Sequence, residues 1–433
     1  MSARKPRPSR AQRERAAGIP LPAALSVLSS VPFRCYFIGQ TLSGFGSALS
    51  TIALAFAVLS LTHSAAALGL VLTASRLPQI LFVLLGGALG DRFSRRRIML
   101  STDAARALLQ ALTALVLVLH RADLPLIAGL QTLSGLGSAM FSPAANGLVK
   151  QLAPDGRNRE ATALLGFAST SAAIGGLALA GAVVGTLGPG PAFAVDAATF
   201  AASTLSLALI HAPALTEPMS PRRGLLSDVG DGWRAARQTP WLLTHCVYSC
   251  LLNTLALSPF FVLGPLVAAR SLGGASAWAA IAIAWAIGSI LGSALSSRWQ
   301  PRRPVATAIA ISIAIVPILV GLAIPLPLSY LLPSAALLGG ENALTSTFIF
   351  VALQDNIPDR LLARATSFET IGSLIAVPLG MGFAGIAANW TSTRSVLIFA
   401  ATWVALSTPV AFSNRSVRCL QRSDPLTGNP QAG

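Results

Sequence analysis

Twelve apolar runs, each close to the roughly 20 residues a helix needs to cross the hydrocarbon core of a bilayer, follow one another along this chain. They lie near 33–61, 66–89, 98–119, 124–148, 162–185, 191–210, 241–268, 275–296, 304–324, 327–350, 366–388 and 395–413. The runs are too long, and alternate too poorly, for the strands of a membrane barrel. Only 11% of the 433 residues are charged, against about 25% in soluble domains, so there are too few ionic side chains to coat soluble domains of this mass. A soluble enzyme, a disordered chain and a disulfide-stapled domain are excluded on these grounds. The expected fold class is an all-α integral membrane protein with twelve transmembrane helices.

The placement of charge orients those helices. Of the 31 Lys and Arg residues, 26 fall in the first 34 residues, in 90–97, 150–160, 211–240, 297–303 and 354–364, or in the tail. The intervening loops hold only Arg121, Arg270 and Arg394. By the positive-inside rule this asymmetry puts both termini in the cytoplasm. It also accounts for the net charge of +16 without a nucleic-acid partner, because the basic residues mark loops and form no groove with interleaved aromatics. Residues 1–32 read as a basic cytoplasmic arm suited to an anionic lipid surface. The one long connection, 211–240, separates six spans (33–210) from six (241–413) and carries an amphipathic helical pattern. Residues 414–433 form a cytoplasmic tail. Cys246 and Cys250 sit in an apolar run beside His245 with no further ligands nearby, so no metal is expected. There is no G-x-x-x-x-G-K-[ST] loop, and no cofactor is expected.

The two halves echo each other. At an offset of 204, Pro154-Asp155 falls on Pro358-Asp359, Ala161-Thr162 on Ala365-Thr366, and Gly176 and Gly181 on Gly380 and Gly385. At 205, the Gly87-x-x-x-Asp91 spacing falls on Gly292-x-x-x-Ser296, each followed by a basic cluster. Two parallel six-helix repeats are the architecture of an alternating-access transporter.

Between the second and third runs stands Gly87-Ala-Leu-Gly-Asp91-Arg92-Phe-Ser94-Arg95-Arg96-Arg97. This resembles the G-x-x-x-D-R-x-G-R-R loop of the major facilitator superfamily, with Ser94 in place of the second glycine. The resemblance extends over 33–413. It is nearest to the drug- and siderophore-exporting branch (enterobactin-exporter-like and macrolide-efflux-like) through the stretches around Arg76-Leu-Pro78, Asp103-x-x-Arg106, Asp196-Ala-Ala-Thr-Phe200 and Pro378-Leu-Gly380. It implies a cytoplasmic latch. Gly87 permits close helix approach. Asp91 would face the dipole at the start of the eleventh helix, and Arg92 and Arg95 would pair with Asp103 or Glu369. The plainer reading leaves these arginines as topology determinants alone.

Ionisable groups within spans are costly and each asks for a reason. Glu341, in Gly339-Gly340-Glu341-Asn342, falls in the tenth span, one of the four that line the cavity in this superfamily. It reads either as a proton or cation site or as a neutral structural carboxyl. Arg76 has Glu341 and Asp196 as candidate partners, or an anionic substrate group. Asp196 reads as a packing or cap residue near the outer face, and Asp103 with Arg106 as an intrahelical pair joined to the Asp91 network. Gln40, Ser47, Gln131, Tyr248, Asn253 and Asn342 are the polar cavity candidates. Two departures from the family pattern bear on coupling. Ser47 and Thr51 stand where many relatives carry an acid and a base, and Leu177 replaces the proline of the fifth-span G-P-x-x-x-G. The reading is a monomeric, multi-pass transporter of the bacterial cytoplasmic membrane. It exports a small, largely apolar molecule by proton antiport, with an importer or uncoupled facilitator as the alternative and a non-transporting membrane partner or sensor as a weaker one.

Overall fold

The computed structural model describes residues 26–90, 94–154, 157–210, 233, 237 and 239–421. Twelve long helices run through them. The first six are α1 (Val31–Thr62), α2 (Ala65–Gly90), α3 (Arg95–Val118), α4 (Leu124–Leu152), α5 (Asn158–Leu187) and α6 (Pro189–Ala208). The second six are α7 (Pro240–Leu272), α8 (Ala275–Arg298), α9 (Pro304–Ala323), α10 (Leu328–Asn356), α11 (Asp359–Trp390) and α12 (Thr393–Ser413). Among the described residues there is no strand. Ten of these helices are long and apolar enough to cross a membrane. The other two, α2 and α11, are helical over 26 and 32 residues and include side chains outside the described set.

Local chemistry sets the ends. Ser94, Asp123 and Ser392 cap α3, α4 and α12, each side chain accepting a hydrogen bond from a first-turn N–H that would otherwise lack a partner. The α7–α8 turn needs Gly273 and Gly274, whose φ values of 99° and 81° disfavour any side chain. A π-helical turn interrupts α7 at Asn253–Leu257 and a second ends it at Ala268–Leu272.

Helices α1–α6 pack into one bundle and α7–α12 into a second, and the two meet where α2 lies on α11 and α5 on α8. Small residues make both seams. A Cβ at Gly385 would meet the Ala65 carbonyl and come within 3.1 Å of the Ala66 Cα; one at Gly181 would come within 2.8 Å of the Ala279 Cβ. Gly181 and Gly385 are the pair related by the 204-residue offset, and they do the same job on opposite sides of the molecule. So do Gly176, packed on the Phe45 carbonyl of α1, and Gly380, packed on Thr254 of α7. A further related pair comes only from the structure: Gly135 of α4 sits on the Ser75 carbonyl of α2, and Gly339 of α10 on the Trp285 carbonyl of α8. The internal repeat is thus a repeat of backbone contacts, which is why it survives as glycines. Among the described residues, hydrogen bonds tying the bundles together run from Thr73 Oγ1 to the Pro378 carbonyl at 2.6 Å and from Arg270 Nη2 to the His63 carbonyl at 3.1 Å. Counted along their helices, the seam contacts just named lie in the half away from the basic loops, hereafter the far half.

Candidate functional site

The polar centre of the first bundle is a ladder between α3 and α6. These helices run antiparallel, so residues i, i+3 and i+7 of one face residues of the other in reverse order. At one level Ser203 Oγ donates to Asp103 Oδ2 at 2.6 Å. About one turn on, the Arg106 guanidinium lies 3.9 Å from the centre of the Phe200 ring. About one turn further, Gln110 Nε2 donates to Asp196 Oδ2 at 2.8 Å. Both carboxylates are 0% exposed. At 1.5 Å per residue the two acid levels are about 10 Å apart, with Arg106 between them.

Neighbouring helices are shaped around this ladder. A Cβ at Gly46 of α1 would meet Thr199 Oγ1 and come within 2.6 Å of Asp196 Oδ1. Gly137 of α4 gives room to the Arg106 stem, since a Cβ there would lie 3.1 Å from its Cγ. Gln131 of α4 donates to Gln110 Oε1 at 3.0 Å and Thr113 Oγ1 at 3.2 Å. Gln40 of α1 donates to Ser203 Oγ at 3.4 Å.

Arg106 joins the ladder to a cavity of about 700 Å³. Asn158 and Val149, near the basic ends of α5 and α4, mark one end of its lining; Arg106 and Phe200, at mid-depth, mark the other. Tyr36, Phe141, Leu165 and Phe200 supply apolar surface, and Gln40, Ser43, Ser47 and Ser169 supply hydrogen-bonding groups. Such a mixture on a concave wall suits a drug-sized amphiphile.

The second bundle holds its own polar cluster. Glu341 is 5% exposed and accepts from Thr345 Oγ1 at 2.9 Å and from Ser312 Oγ of α9 at 3.2 Å. Tyr248 bonds Thr408 of α12 at 2.8 Å and stacks with Trp403.

Several expectations change on this geometry. Glu341 was expected to line the cavity but is packed between α9 and α10, because the glycines before it serve close approach of α8. Tyr248 and Gln131 are likewise buried in their bundles; Gln40 and Ser47 do line the cavity, Asn342 is exposed, and Asn253 is half-buried at the head of a π turn. Arg76 pairs with neither Glu341 nor Asp196, which have the partners named above. It is exposed and makes no hydrogen bond or ion pair to a described residue, seven residues beyond Gly69 on the face that α2 turns to the second bundle. Asp103 does not pair with Arg95, whose Nη1 donates to the Gly147 carbonyl at 2.9 Å. Glu369 lies 4.0 Å from His245 Nε2. Asp196 sits two turns inside its helix, deeper than a cap. Of the latch residues, Gly87 lies in α2, while Asp91 and Arg92 lie outside the described residues. The reading from sequence missed Gln110, Phe200, Ser203 and Gly46. The signal for Gln110 and Ser203 was present as matching i, i+7 polar spacings, 103 with 110 on α3 and 196 with 203 on α6.

The family model described as Major Facilitator Superfamily matches residues 36–368, most of the chain. The chain belongs to the major facilitator superfamily, a family of membrane transporters. Within it, the multidrug efflux pump Tap of Mycolicibacterium fortuitum is 26% identical over 400 residues, covering 88% of this chain and 93% of that protein. Among solved structures, the nucleoside transporter NupG superposes with a TM-score of 0.73 at 14% identity, over 89% of this chain and 100% of that one. A bacterial homologue of the human lysosomal transporter Spinster, solved inward-facing and occupied, gives 0.64 at 15% identity, over 91% and 98%. These structural likenesses bear on the fold. The superfamily fold and the apolar helices make this a multi-pass protein of the bacterial cell membrane.

Proposed function

We propose that the protein exports small amphiphilic molecules from the cytoplasm by alternating access, using the proton gradient. In this reading the basic loops face the cytoplasm, and the bundles of 33–210 and 241–413 rock against each other as a monomer. One observation carries it. The 700 Å³ cavity reaches from the basic ends of α4 and α5 to Arg106 at mid-depth, while the α2–α11 and α5–α8 seams close the far half. An exporter has this arrangement in the state that loads from the cytoplasm, which supports the reading. Likeness to a multidrug efflux pump over 88% of the chain supports the direction and the substrate class. Buried carboxylates at Asp103 and Asp196 supply groups able to carry a proton. The test is drug accumulation in a host stripped of its own pumps. Cells making the wild-type chain should hold less drug than cells with an empty vector, and an uncoupler should abolish the difference. Equal accumulation across a broad panel overturns the export reading.

A second reading, an importer or uncoupled facilitator, draws on the uncharged Ser47 and Thr51 of α1. In inside-out vesicles the exporter carries protons from the lumen to the bath as drug enters the lumen, so the lumen becomes more alkaline; the facilitator moves substrate with no proton flux.

A further inference from the structure

The α3–α6 ladder contains two carboxylates and one guanidinium at membrane depth, one negative charge more than it can neutralise. Three of its atoms are buried and have no hydrogen-bond partner among the described residues: Asp103 Oδ1, Asp196 Oδ1 and Arg106 Nε. Orphaned buried polar atoms are rare, and three in one cluster call for an explanation. The register supplies it. Ser203 holds Asp103 from one side and Gln110 holds Asp196 from another, and Arg106 stands at the level between them, bonded to neither. No other charge compensates the cluster: among the described residues α1 brings Tyr36, Gly46 and Ser50 to it, and α4 brings Gln131 and Gly137. Tyr36 is the one further titratable group among the described residues. An unpaired carboxylate is too costly to keep at this depth, so one acid is protonated.

We propose that Asp103 and Asp196 share one exchangeable proton, with Arg106 as the switch that pairs with whichever carboxylate is bare. The inference rests on the proton-coupled reading above and assigns its proton site. In the exchange, the O–H bond of one carboxylic acid breaks and that of the other forms, with water carrying the proton, while the guanidinium moves the opposite way. No step leaves two bare carboxylates beside an unpaired arginine. Phe200 suits the midpoint, because its ring face holds a guanidinium without fixing it to either acid. Arg106 borders the cavity and the carboxylates do not, so a molecule entering the cavity meets the switch and not the acids.

Infrared spectroscopy of the purified full chain in nanodiscs tests this, with protons as the only ligand. Wild type should show a titratable carboxylic-acid C=O band from the ladder, added to any contribution of Glu341. Asp103→Asn and Asp196→Asn should each lose the ladder band, because the remaining acid then pairs with Arg106. Arg106→Gln should raise the ladder band about twofold, since both acids must then be protonated; this arm still reads if an Asp variant fails to fold. A band that persists in both Asp variants, or that is lost in only one of them, overturns the proposal. So does an Arg106→Gln band of unchanged size. These bands do not depend on transport: a wild type that shows them but extrudes no drug contradicts the exporter reading alone.

Discussion

At the scale of single residues, the first bundle is organised by what α1 and α4 omit. Gly46 leaves the space that Asp196 fills, and Gly137 the space that Arg106 fills. Gly46→Val puts a branched side chain against Thr199 and the Asp196 carboxylate. Overpacking of this kind costs about 1–3 kcal/mol, and a lower Tm of the detergent-purified protein is the expected outcome. An unchanged Tm would show that α1 and α6 are not so closely apposed. Glu341 is the contrasting case. Its two partners are hydroxyl donors, and Glu341→Gln keeps an oxygen to accept from Thr345 and Ser312. That variant should fold within about 1 kcal/mol of wild type and retain drug extrusion. Loss of proton-driven extrusion with folding intact would return the coupling role to Glu341.

At the scale of helices, twelve apolar runs and their loop charges were legible because length and composition depend on no neighbour. What faced what was not legible. Gly339-Gly340 announces a close contact beside Glu341, but sequence does not say with which helix. The structure shows α8 there, which turns the carboxyl toward α9 and away from the cavity. Asp103, Arg106 and Asp196 were visible as costly groups in spans. Their ladder emerged only when the antiparallel register of α3 and α6 set Gln110 and Ser203 against the two acids. The repeat makes a prediction of its own. Gly135→Leu at the α2–α4 contact and Gly339→Leu at the α8–α10 contact both drive a side chain into a carbonyl of the partner helix. Their losses in stability should be alike, about 1–3 kcal/mol each, and so read as similar drops in Tm. A large loss at one position and none at the other would show that the two bundles are not packed alike.

At the scale of the whole molecule, the account reduces to movement of two bundles about a closed far seam and an open cavity. Thr73 and Gly382 are close enough across the α2–α11 seam to be joined: a Cβ on Gly382 lies 3.2 Å from Thr73 Oγ1 and meets no backbone atom. In a background freed of Cys35, Cys246, Cys250 and Cys419, the double variant Thr73→Cys with Gly382→Cys should form a disulfide when oxidised. With the far half locked shut, drug extrusion by reconstituted protein should fall to background and recover on addition of reductant. Extrusion continuing at the uncrosslinked rate through a covalently closed seam would contradict alternating access in this chain.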